Sequence, residues 1–427
     1  MSPFNLETCA RPNILALQPY RCARDDYKEN GVNVLLDANE NAFGPAIYPS
    51  DTLTKTIASS PLFSGIDPLG LHRYPDPHQH DLKRLLCALR NTHAHTPKDI
   101  TPDHLFVGVG SDEAIDALIR CFCVPGRDSI LICPPTYGMY SVSAQVNDVG
   151  VVKVPLLPGP SFSLDVPAIT AALSSSSSSS SSSQEQNSSS NNNNNNIKLA
   201  YFCSPGNPTG SLLAKADILK ILEHPTWNGV VVLDEAYIDF AGADASLAEL
   251  AAEYPNLVVL QTLSKAFGLA GIRLGAAFTS PPIAHLLNNM KAPYNVASPT
   301  SALARHALSE TGGLTHMRDN VMQIILQRQR LQVELSRMDG VGRLVGGTVS
   351  NFLLYEILSP LTGRPDNPTA LAVYKSLAEK MSVIVRFRGH EPGCVGCLRI
   401  TVGTKDEVDE LLRALPRALA DVKASLS

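Results

Sequence analysis

The sequence predicts an α/β fold, with a large domain on a mostly parallel sheet and a smaller α+β domain after it. Three observations lead there. Short apolar runs alternate with stretches of helical spacing through the middle of the chain, and each run stops at proline, glycine or a polar cluster. The third is a change of pattern after about Pro299. Strands alternating with helices make a parallel sheet covered on both faces.

In chain order, Ser111 is placed to cap a helix, with Asp112 and Glu113 in its first turn and Ile115, Leu118, Ile119 and Phe122 along its apolar side. The strand candidates are 129–133, 149–154, 198–202, 230–233 and 257–260, each too short for a helix. Residues 214–223 and 247–253 carry helical spacing between them. Further on, 320–338 reads as an amphipathic helix, with Ile324, Ile325, Leu331 and Leu335 on one face. Strands are expected at 351–356, 382–387 and 397–402, then a helix over 405–422. The expected units are an N-terminal arm with part of the small domain (1–50), a large domain (72–298) and a C-terminal small domain (299–427). A tract at 174–196, mostly serine and then asparagine, has nothing to bury and reads as a disordered insertion in a surface loop of the large domain.

At 427 residues, 44% apolar and 18% charged, the chain has ordinary globular values. A net charge of −5 with no run of five basic residues makes nucleic acid an unexpected partner. Nowhere do ~18 apolar residues run together, so no membrane span is expected. The first twenty residues match neither a signal nor a transit pattern. Nine scattered cysteines point to a reducing compartment, so a soluble, cytoplasmic protein is expected. Cys394-x-x-Cys397 lacks a second pair at zinc-site spacing, and no metal is expected.

Ligands of an open parallel sheet gather at the carboxyl ends of its strands. There the sequence offers CSPGNPTG (203–210), then Asp234-Glu235-Ala236-Tyr237, then QTLSKAFGLAGIRLG (261–275). Singly, each residue has an ordinary reading: Lys265 as a surface lysine, Asp234 as a helix cap, Asn207 to Gly210 as a turn, Arg273 as half of a salt bridge. In this order the set resembles the aminotransferases of fold type I that use pyridoxal 5′-phosphate (PLP). The resemblance implies that Lys265 holds the coenzyme aldehyde covalently and moves the substrate proton. It makes Asp234 the partner of the pyridine nitrogen, and Asn207 and Tyr237 donors to the ring's 3-oxygen. Gly110, Ser111 and Asp112 at a helix start, Ser264 and Arg273 would hold the phosphate. Tyr137, in PPTYGMY, would stack on the ring. Asp112 and Glu113 lie beside an anion site in this reading, so their side chains are expected to turn away.

Outside that group, RPNILALQPY, LDANEN, RYPD, GVGSDEAIDALIRCF, CPPTYGMYSVSA, LDEAYIDF and LRITVGT resemble the histidinol-phosphate aminotransferase family. The likeness covers nearly the whole chain except the Ser/Asn tract and a region around 60–71. Ala42 stands where that family often has proline. The resemblance implies amino transfer between L-histidinol phosphate and 2-oxoglutarate, giving imidazole-acetol phosphate and L-glutamate, in histidine biosynthesis. It makes Arg399 the receptor for the substrate anion, assisted by Arg386, with Tyr20 and Asn39 near the substrate. Tyr74 would reach the phosphate of the neighbouring subunit's coenzyme, which implies a homodimer with shared active sites. A different aminotransferase, a PLP-dependent decarboxylase or lyase, and a non-catalytic relative are the alternatives. A nucleotide-binding enzyme has no G-x-x-x-x-G-K-[ST] to support it.

Overall fold

The computed structural model describes residues 2–18, 71–159, 161–177 and 196–426. Tyr20, Asn39, Ala42, most of the expected N-terminal arm and residues 178–195 of the Ser/Asn tract lie outside them.

A seven-stranded sheet organises the larger part of the chain. Its strands are β1 (Leu105–Val109), β2 (Asp128–Ile132), β3 (Gly150–Lys153), β4 (Asn196–Cys203), β5 (Val230–Asp234), β6 (Leu257–Thr262) and β7 (Leu274–Thr279), in the spatial order β1-β7-β6-β5-β4-β2-β3. The pairs from β3 to β6 are parallel, and β7 runs antiparallel to both β6 and β1. Six strands therefore share one direction. Neither β1 nor β7 stands out in the sequence. Gly108 breaks the apolar run of the first, and Gly275, Ala276 and Ala277 leave the second with little side chain to recognise.

Alternate strand residues feed two cores, one on each face. Val231, Leu233, Leu257, Val259, Ala200 and Phe202 join one cluster; Val230, Val232, Val258, Leu260, Leu199 and Tyr201 join the other. Burial on both faces explains why these strands read as unbroken apolar runs. The covering helices are α1 (His80–Arg90), α2 (Gly110–Phe122), α3 (Met139–Val146), α4 (Val166–Ser177), α5 (Lys215–Leu222) and α6 (Pro281–Met290).

Several expectations change in the structure. Helix α2 begins at Gly110, not after Ser111, because the Glu113 carboxylate accepts the Val109 N–H and so caps the helix from within. Residues 248–252 form a 3-10 turn, not an α-helix. Ser174 to Ser177 complete the last turn of α4 and are not part of a loop. The Ser176 hydroxyl accepts the Ile197 N–H at 2.7 Å, which holds that turn to the start of β4.

The C-terminal part contains α7 (Ser298–Ala307), α8 (Gly313–Leu335), α9 (Asn367–Met381) and α10 (Lys405–Leu426). Its four-stranded antiparallel sheet has the order β10-β11-β9-β8, with β8 Val341–Leu344, β9 Phe352–Ile357, β10 Arg386–Phe387 and β11 Cys397–Thr401. Only the end of the expected strand 382–387 pairs, because Ser382 takes the left-handed conformation that stops α9. Ala304, Leu314, Met317 and Val321 pack into the core of the large sheet, whereas Leu331 and Leu335 belong to the C-terminal core. The change of core thus falls within α8, well past residue 299. Among the described residues no helix is long and apolar enough to cross a membrane.

Candidate active site

Topology alone collects most of the expected site residues. Because only β7 is reversed, the carboxyl ends of β1, β4, β5 and β6 lie on the same sheet edge as the amino end of β7. Gly110 follows β1, Asn207 follows β4, Asp234 ends β5, Lys265 follows β6 and Arg273 precedes β7.

Asp234 is 2% exposed. Its Oδ2 accepts the Tyr140 hydroxyl at 2.6 Å and its Oδ1 the Ala236 N–H at 3.1 Å. Burial pushes its carboxyl up to about 6, against the lowering effect of those two donors. Lys265 is half-buried, with Nζ 5.5 Å from the centroid of the Tyr237 ring. Its ammonium pKa is lowered, first by burial and then by Arg399, while Asp234 opposes the shift. An amine held in this way loses its proton more readily than a surface lysine.

At the start of α2, two glycines permit a close approach of backbone. Gly110 has φ +74, and a Cβ there would lie 2.8 Å from Arg273 Nη2. At Gly275 a Cβ would fall 2.2 Å from the Ser111 nitrogen, so only glycine lets β7 run this close to the helix start. The Gly110 N–H donates to the Arg273 carbonyl at 3.1 Å, which ties the arginine to the helix N-terminus. First-turn amides beside a guanidinium make an anion cradle. Ser264 lies in the adjacent loop, its hydroxyl accepting from Thr262 Oγ1 at 2.9 Å.

The two acidic residues here behave differently. Glu113 turns back to Val109 and Asn295, as expected. Asp112 does not turn away. It accepts the Tyr137 hydroxyl at 3.1 Å and lies 3.5 Å from Arg273 Nη2, so a donor and a cation offset its charge. Tyr137 is thereby tethered to the start of α2, and it meets Tyr140 edge-on at 5.6 Å.

The C-terminal sheet contributes the arginines. Arg386 and Arg399 are direct partners across the β10–β11 ladder, so their side chains share a face. Arg399 donates through Nη1 to Asn207 Oδ1 at 2.5 Å and lies 5.2 Å from the Phe352 ring centroid, while its buried Nε has no hydrogen-bond partner among the described residues. With Oδ1 so engaged, the Asn207 amide nitrogen remains as its donor end. Burial, then Arg388, lowers the Arg399 pKa. Arg388 itself is occupied by Glu391 at 2.9 Å, whereas Arg386 is solvent-exposed. Two like charges facing each other across a ladder are suited to a multiply charged anion.

Tyr74 is 50% exposed and stacks on Tyr294 with centroids 4.5 Å apart. Tyr140 and Gly275 are the important residues that sequence reasoning passed over; PPTYGMY and IRLG contained them.

The donor set fits PLP: a buried carboxylate for a ring nitrogen, an amine of lowered pKa for an aldehyde, and an amide-and-arginine cradle for a phosphate. Comparison with known proteins agrees. Residues 33–415 match the family model described as aminotransferase class I and II. The chain belongs to that family. It is similar to the histidinol-phosphate aminotransferases of Schizosaccharomyces pombe (49% identity, 98% of each chain) and Candida maltosa (46%, covering 98% of this chain and 99% of that one). Among solved structures, the histidinol-phosphate aminotransferase from Sinorhizobium meliloti in complex with pyridoxal-5′-phosphate shares the aminotransferase fold. Its TM-score is 0.68 at 24% identity, covering 91% of this chain and 90% of that one.

Proposed function

We propose that this aminotransferase moves the amino group of L-histidinol phosphate to 2-oxoglutarate, with PLP as coenzyme, in the histidine biosynthetic pathway. The observation that carries the reading is the opposed pair Arg386 and Arg399. One donor bears a phosphate and no carboxylate, the acceptor two carboxylates, and a pair of planar cations can receive either. Near-full-length likeness to two proteins of that name supports the choice of donor.

When bound, PLP supplies an aldehyde that takes up the donor nitrogen and a ring that accepts the electron pair left at the α-carbon. The protein does the rest. Lys265 takes the α-proton as general base and returns it as general acid. Asp234 would hold the ring nitrogen in its charged form, Asn207 and Tyr237 would donate to the ring oxygen, and Tyr137 would supply an aromatic wall. Gly110, Ser111, Asp112, Ser264 and Arg273 would hold the phosphate, Ser111 and Asp112 through backbone amides and Gly110 by the close approach it allows, since its own N–H is bonded to the Arg273 carbonyl. The products are imidazole-acetol phosphate and L-glutamate.

The same reading makes the enzyme a cytoplasmic homodimer. The half-exposed Tyr74 would meet the coenzyme phosphate of the neighbouring subunit, and all eight described cysteines are free, buried thiols. Sedimentation gives the oligomeric state. Mixed dimers of Tyr74→Phe and Lys265→Ala subunits should regain one working site if sites are shared.

Steady-state assays with 2-oxoglutarate as acceptor test the substrate. Histidinol phosphate should exceed phenylalanine, tyrosine and aspartate in kcat/KM by about 100-fold or more, the range a dedicated charged contact supplies. Equal efficiency with aspartate would reject the reading.

A further inference from the structure

Tyr140 has no place in the scheme above, yet its environment is unusual for a core tyrosine. Its ring is 0% exposed, stacked on Tyr201 at 4.9 Å and 24°, and edge-on to Tyr137. The hydroxyl donates to Asp234 Oδ2 at 2.6 Å, short for a hydroxyl–carboxylate contact. We propose that Tyr140 is a positioning residue whose hydroxyl keeps the shared proton on the coenzyme's ring nitrogen and off Asp234. The proposal rests on the assignment of Asp234 to that nitrogen.

A carboxylate facing a protonated pyridine can exist as an ion pair or, with the proton moved across, as a carboxylic acid and a neutral pyridine. Burial favours the neutral pair, since two charges are costly away from water. A hydroxyl donating to the carboxylate favours the ion pair, because the donor bonds the charged oxygen more strongly than the neutral acid.

The groups around Asp234 leave few others for that task. Ala236 N–H serves Oδ1, and Lys265 favours the charged form from further off. Asp112 acts in the opposite direction. The Cys203 thiol, on β4, donates to the Pro205 carbonyl at 3.5 Å, and burial keeps it protonated. With one donor on each oxygen, the carboxylate still has lone pairs for the ring nitrogen. Tyr201 on one side and Tyr137 on the other prevent the Tyr140 ring from swinging away.

The test is the nitrogen-15 resonance of ring-labelled PLP in the holoenzyme, which distinguishes a protonated from a bare nitrogen whatever the turnover. In Tyr140→Phe, the resonance at neutral pH should move toward the bare nitrogen, reflecting a proton equilibrium displaced about ten- to a hundredfold. A Tyr140→Phe resonance unchanged from wild type overturns the proposal. Asp234→Asn separates the two claims. If it also leaves the nitrogen protonated, the Asp234 assignment fails; if it alone moves the resonance, only the role of Tyr140 fails. Should Tyr140→Phe not fold, fluorinated tyrosines at position 140 offer graded donor strength in nearly the same shape. The resonance should move further toward the protonated form as the phenol becomes more acidic, and no trend overturns the proposal.

Discussion

At the inner end of the site, Asp234, Tyr140 and Tyr201 are each at most 2% exposed, and every carboxylate oxygen of Asp234 has a donor. At the outer end, Arg386 is solvent-exposed, Arg399 is half-buried with no partner for its Nε among the described residues, and Arg388 is neutralised by Glu391. The inner groups come from the large sheet and a helix packed on it: Asp234 ends β5, Tyr201 lies within β4 and Tyr140 within α3. The outer ones come from a two-residue strand and its neighbour. A group that must keep one charge state through a whole reaction cycle belongs in rigid, dry surroundings. Groups that receive two differently shaped anions in turn need access to water and room to adjust.

The comparison can be broken from either side. The largest effect is expected at the amine between the two ends: Lys265→Ala should lower turnover by about 10⁴-fold or more and remove the absorbance of lysine-bound coenzyme. Loss of one without the other would contradict its dual role. Asp234→Asn should lower kcat by about 10²- to 10³-fold with little change in either KM, since it acts on charge that develops during the reaction. A KM-only effect would move Asp234 to the outer class.

The same carboxyl makes a prediction without coenzyme. Its pKa is about 6 in the folded protein against an ordinary 3.8, so the folded state holds this proton more tightly than the unfolded. Stability of coenzyme-free protein should therefore fall as pH rises from about 4 to 6 and stay lower above that. The contribution is about 3 kcal/mol, read as the wild-type curve minus that of Asp234→Asn, which cancels Glu235. A flat difference would mean that Asp234 is not buried as described.

Arg399→Lys should raise KM for both substrates by about 10- to 100-fold, because an ammonium cannot reproduce the planar fork, while PLP affinity stays as it was. Unchanged KM for both would remove it from the anion site. Arg386→Ala should show the smallest effect, about three- to tenfold in KM, as expected for an exposed cation. If it matched Arg399→Lys, exposure would not divide the two ends as argued here.

Much of this was legible before any coordinates. Val230–Leu233 and Leu257–Leu260 declare themselves because both faces of their strands are covered. The residues ending those strands carry polar chemistry that no core position would keep. What failed to show is equally physical. Residues 247–253 have helical spacing, but Glu249 spends its carboxylate on the backbone of the His93–His95 loop, and only 3-10 turns form. The reversal of β7 is invisible in a stretch of glycine and alanine. Tyr140 sits at a helix position that reads simply as core, and only the meeting of α3 with the end of β5 sets its hydroxyl on Asp234. Taken alone, the charge of Asp112 predicts a side chain turned away from an anion, whereas the Tyr137 hydroxyl and Arg273 that hold it come from distant parts of the chain.

The contact between Ser176 and Ile197 joins two points separated by 21 positions with a single bond. The end of α4 and the start of β4 are therefore held together, and β4 leads straight to the loop that carries Asn207. A helix on the sheet's flank thus fixes the point from which one strand of the catalytic edge sets out.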